Sequence, residues 1–75
     1  MAQVYRCIIK SIRNKYYIAK DYNGNKFIIE KNSHIRECKV GEDFYFYARR
    51  VKGIIRDKLI PISDEEAGVK VQSKV

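Results

Sequence analysis

The stretch Phe44-Tyr45-Phe46-Tyr47-Ala48-Arg49-Arg50-Val51 constrains this chain more than any other. In a strand, successive side chains point to opposite faces. Phe44, Phe46 and Ala48 then share one face, and Tyr45, Tyr47 and Arg49 the other. The first face is core material. The second is amphipathic, cationic and able to stack on flat ligands.

The other apolar residues fall into four more strand-like runs. Val4 to Ile12 is rich in β-branched residues. It is apolar on both faces, with Tyr5, Cys7 and Ile9 on one and Val4, Ile8 and Ile12 on the other. Such a strand is central in a barrel or bent to serve two sheets. Tyr16 to Asp21 and Lys26 to Lys31 flank Asn23-Gly24, a pair suited to a two-residue type I′ turn because both positions need positive φ. That turn pairs Asp21 with Lys26, Lys20 with Phe27, Ala19 with Ile28, Ile18 with Ile29 and Tyr17 with Glu30. It assigns Ile18, Phe27 and Ile29 to the core and Tyr17, Ala19, Lys26 and Ile28 to the opposite face. Tyr16 falls with the first set and Ile28 with the second, so which face is buried stays open.

Residues 32–40 read as a polar connection with at most one helical turn around Ser33 to Cys38. Gly41-Glu42-Asp43 turns into the fourth strand. Residues 52–58 read as a loop or irregular hairpin whose Ile54 and Ile55 could extend either flanking strand. Leu59 to Ile62 is the fifth strand. Its Pro61 has no N–H and must sit at an edge or face away from the partner strand. Ser63 is placed to cap a short acidic turn, Asp64 to Ala67. The prediction is an all-β fold, a small five-stranded barrel over residues 1–63, with a loosely ordered tail over 64–75. Closure would remove the exposed edges that such apolar strands otherwise present.

A chain of 75 residues has room for one domain. It contains no apolar run long enough to span a membrane, and MAQVYRC does not open like a signal peptide, so the expected compartment is the cytoplasm. Cys7 and Cys38 form no metal-binding spacing. With His34 they fall short of the four ligands that tetrahedral zinc needs, so neither a metal nor a cofactor is expected. The formal net charge is +7. Asp64, Glu65 and Glu66 lie in the tail, so the body of the chain is more basic still. A basic folded body points to an anionic partner.

The order of parts resembles an S1-like OB-fold, and the resemblance spans about residues 4 to 62. It rests on the strand leading to the Asn23-Gly24 hairpin, the opening Val40-Gly41-Glu42-Asp43 before the fourth strand, and the basic loop ending at Asp57-Lys58. Single S1 domains and bacterial translation initiation factor one are similar in length and order. The resemblance implies an OB-like barrel and a protein that binds RNA or single-stranded DNA. An SH3-like barrel is the alternative fold.

Single strands are held by cationic grooves and aromatic platforms. The candidate platforms are Tyr17, Tyr45 and Tyr47. The candidate phosphate contacts are Lys15, Lys26, Arg49, Arg50, Lys52, Arg56 and Lys58. Arginine adds two-pronged phosphate contacts. The expected partner is RNA or single-stranded DNA, read with little sequence preference, on its own or within a larger nucleoprotein complex, and no membrane. No catalytic residues are expected. The alternatives are a protein-interaction module of a larger assembly, such as a phage or mobile-element complex, and a small ribonuclease toxin built on His34.

Overall fold

A computed structural model describes residues 2–68. Five strands follow in sequence: β1 (Ala2–Ile12), β2 (Tyr16–Asp21), β3 (Lys26–Glu30), β4 (Asp43–Val51) and β5 (Asp57–Pro61). They close as a barrel in the order β1-β2-β3-β5-β4. Neighbours are antiparallel except β3 and β5, which run parallel. No helix occurs among the described residues. The fold is therefore all-β, and its closed five-stranded barrel is compatible with an OB-like fold.

The core follows the two-residue period. Tyr5, Cys7 and Ile9 of β1 point inward with Phe44, Phe46 and Ala48 of β4 and Leu59 of β5. Strand β1 pairs with β4 along one side and β2 along the other. A bulge between Ile9 and Ser11 bends it between the two partners. The bulge also changes the phase of the strand. Ile12 is brought opposite the inward-facing Tyr17, so it parts from Val4 and Ile8.

The β2–β3 hairpin is paired one residue away from the expected register. Lys20 faces Lys26, Ala19 faces Phe27, Ile18 faces Ile28, Tyr17 faces Ile29 and Tyr16 faces Glu30. The cause is the Asp21 carboxylate. It accepts hydrogen bonds from the backbone amides of Asn23 (2.9 Å) and Asn25 (2.8 Å) and from Asn25 Nδ2 (3.0 Å). These bonds favour a three-residue turn, Tyr22-Asn23-Gly24, over the two-residue one. Only Gly24 has positive φ, at 88°, and Asn23 does not. A one-residue change in register exchanges inside for outside wherever one face is buried. Tyr17 and Ala19 therefore enter the core with Phe27 and Ile29, and Ile18 lies on the outer side.

Other expectations are revised more mildly. Residues 32–40 hold turns and no helical turn. Asn32 Oδ1 accepts from the His34 amide at 2.9 Å, and Asn32 Nδ2 donates to the Pro61 carbonyl at 2.9 Å. Ile54 and Ile55 join neither strand and stand in the β4–β5 loop. Strand β5 starts two residues earlier than expected. Its Pro61 nitrogen faces away from β4, because the Ile62 amide makes the bond to Tyr47 (3.0 Å). Ser63 does cap the acidic turn, with its Oγ accepting from the Glu66 amide at 3.1 Å. The rest of the expected tail, 69–75, lies outside the described residues.

Candidate nucleic-acid interface

The outer face of β2 and β3 is a ladder of three rungs. Lys20 stands opposite Lys26, Ile18 opposite Ile28, and Tyr16 opposite Glu30. Strand β5 adds Lys58 beside Ile28, and Lys58 Nζ reaches Glu30 Oε1 at 3.1 Å. The β1–β2 turn is tied to the end of β3 by the Lys31 amide, which donates to the Lys15 carbonyl at 3.1 Å. Like charges directly opposite in a sheet are destabilising. The Lys20–Lys26 rung is therefore a local cost that packing does not explain.

Ion pairing is uneven around the barrel. Arg6, Arg36, Arg49 and Arg50 pair with Asp43, Glu42, Glu66 and Asp57 respectively. Among the described residues, no carboxylate lies within ion-pair distance of Lys15, Lys20, Lys26, Lys31, Lys52 or Arg56. These six sit on β2, on β3 or its end, and on the two loops that flank them. Among the described residues, Lys10 on β1 and Arg13 and Lys39 in loops are also without a carboxylate within ion-pair distance.

Three shallow grooves follow this face. One of about 620 Å³ lies among Lys15, Tyr16, Ile28, Lys31 and Lys58. A second, about 380 Å³, shares Ile28 and runs beneath Ile54, Ile55 and Arg56. A third, about 430 Å³, shares Ile55 and Arg56 and reaches Lys26. Shared walls make them one track from the β1–β2 turn to the β2–β3 hairpin.

The expected site residues divide accordingly. Lys15, Lys26, Arg56 and Lys58 line the track, and Lys52 lies in the adjoining loop. Tyr45, Tyr47 and Arg49 do face outward together, but on β4, which β1 separates from β2 on one side and β5 from β3 on the other. A separate groove of about 520 Å³ lies there, lined among others by Val4, Tyr45, Tyr47 and His34. Arg50 points inward at the end of β4. Its guanidinium lies 5.1 Å from the Phe27 ring centre, and its Nε is 2.5 Å from Asp57 Oδ2.

Tyr17 is corrected from surface to core. It is 2% exposed, and its hydroxyl accepts the Cys38 amide at 3.1 Å. Tyr17→Phe should therefore cost about 1–3 kcal/mol, the penalty for a buried amide left without a partner. Chemical denaturation would measure it. A variant as stable as the parent would remove that role.

The β1–β4 side is built around Arg6. Its guanidinium sits 4.6 Å from the Tyr22 ring centre and 5.3 Å from that of Tyr45. Both Asp43 oxygens accept from it, at 3.2 and 2.9 Å, and the Tyr22 hydroxyl donates to Asp43 Oδ2 at 2.5 Å. Arg6 first, and then Tyr22, hold the Asp43 carboxyl below the usual carboxylate range. The Gly53 amide and Arg50 do the same for Asp57. In the pH range between the folded and unfolded pKa values, the unfolded chain binds more protons, so stability rises with pH there. Stability should be level down to about pH 5, roughly one unit above the ordinary Asp value of about 3.9, and fall with further acid. Thermal melts across pH should show a shallower acid slope in Asp43→Asn. An unchanged slope would exclude Asp43 as a contributor.

Sequence reasoning missed Tyr16 and Lys20 on the outer face of β2. The signal that would have found them is Asp21 beside the Asn-Gly pair, since an aspartate at that position caps the longer turn. Comparison with protein-family models, with curated proteins and with solved structures returns no match.

Proposed function

We propose that this protein binds single-stranded nucleic acid, RNA or DNA, along the β2–β3 track with little sequence preference. One observation carries the reading. Lys20 and Lys26 face each other without a carboxylate partner, at the edge of a track holding further unpaired cations. Phosphates would relieve that repulsion. Tyr16 and the Ile18–Ile28 rung offer the stacking and apolar surface that bases need. Barrels of the OB class bind oligonucleotides on this strand pair and its flanking loops. The S1-like resemblance points the same way.

Titration with short oligonucleotides tests it. Binding should be measurable at low salt and weaken steeply as salt rises. No detectable binding at low salt would end the proposal. Tyr16→Ala should cost about 1–3 kcal/mol with single strands and less with duplex, because only unpaired bases stack on it. Equal losses on both would remove the stacking role. Docking of another protein on the β1–β4 side is the second reading. Exposed Val4 and Tyr45 beside arginines already neutralised by carboxylates favour it.

A further inference from the structure

Ile54 and Ile55 are 104% and 90% exposed at the tip of the β4–β5 loop. Leaving two adjacent isoleucines in water forgoes the burial that normally stabilises such side chains. The loop is nevertheless held in shape. Asp57 Oδ1 accepts the Gly53 amide at 3.1 Å, while Asp57 Oδ2 holds Arg50. The chain closes so tightly that a Cβ on Gly53 would lie 1.8 Å from the Arg56 carbonyl oxygen. The tip is thus a fixed apolar projection. Beneath it, the groove of about 380 Å³ has Ile28 as its other wall. Arg56 lies at its mouth and Lys58 stands beside Ile28.

From this geometry we infer a base-binding subsite. A nucleobase enters between Ile28 and the Ile54–Ile55 tip, flat against aliphatic side chains on both sides, while Arg56, which has no carboxylate partner among the described residues, meets the adjoining phosphate. The occupant has to be apolar in its body and anionic at its edge. A nucleotide fits that description, and the cleft is continuous with the lysine track. The inference rests on the nucleic-acid reading proposed above.

The experiment compares a short oligonucleotide with its abasic counterpart, which keeps every phosphate and lacks the bases. The parent protein should bind the base-bearing strand about a hundredfold more tightly than the abasic one, with Tyr16 and the Ile28–Ile54–Ile55 cleft each supplying about tenfold. The double variant Ile54→Ser, Ile55→Ser changes only exposed side chains and should keep the fold. It should lose about tenfold of that preference and keep the share that rests on Tyr16, while binding the abasic strand as the parent does. Unchanged preference in the variant would overturn the subsite and leave the nucleic-acid reading standing. So would equal affinity of the parent for both strands. Failure of the parent to bind either strand would overturn both. Vesicles rich in anionic lipid form the last arm. Vesicle binding that needs Ile54 and Ile55, with oligonucleotide binding unaffected by their loss, would reassign the tip to a membrane surface and overturn the subsite.

Discussion

Replacing Lys15, Lys20 and Lys26 together by glutamine should lower the slope of log affinity against log salt by about two. Each phosphate contact on a single strand contributes about 0.7 to that slope through released counterions. Affinity at low salt should fall for every sequence alike, because phosphates carry no sequence information. The same variant should be as stable as the parent or slightly more so. Lys20 and Lys26 are directly opposite in the β2–β3 ladder, and removing two like charges from opposed positions relieves a repulsion. Stability and binding would then move in opposite directions, as for a surface shaped by a ligand rather than by packing. A salt slope equal to the parent's would exclude these lysines from the interface. A clear loss of stability would show that they serve the fold.

Phe27→Ala should have the largest effect on folding, about 3–5 kcal/mol. The ring is 1% exposed, edge-on to Tyr5 with centres 5.8 Å apart, and roofed by Arg50. A domain of this size has only about 5–10 kcal/mol in total, so the variant would stand close to its unfolding threshold. Phe27→Leu keeps much of the volume and should lose less. Denaturant midpoints of the two variants test this. An alanine variant within about 1 kcal/mol of the parent would mean that the barrel collapses around the gap and that Phe27 is not a keystone of the core.

The barrel was legible because its strands carry a strict alternation. Phe44, Phe46 and Ala48 inside with Tyr45, Tyr47 and Arg49 outside needs no knowledge of partners, only of the pleat. The candidate interface was less legible for two physical reasons. The hairpin register turned on three hydrogen bonds to the Asp21 side chain, and that single step put Tyr17 in the core and Tyr16 on the surface. The state of the arginines depended on residues distant in sequence. Arg49 meets Glu66 and Arg50 meets Asp57, so side chains that read as free phosphate ligands are already engaged. Lys15, Lys20, Lys26 and Lys31 look no different in the sequence, yet they are left without carboxylate partners among the described residues.

That uneven pairing has a consequence for how the molecule meets a polyanion. Arg6, Arg36 and Arg49 are compensated by carboxylates and the β2–β3 lysines are not, so the local potential is more positive over β2 and β3. In the field of a phosphate chain such a body turns before it touches. Encounters would be pre-aligned with β2 and β3 leading, and the Arg6–Tyr22–Tyr45 cluster would trail on the solvent side. Bound along a strand, successive molecules would present the same outward surface to whatever comes next.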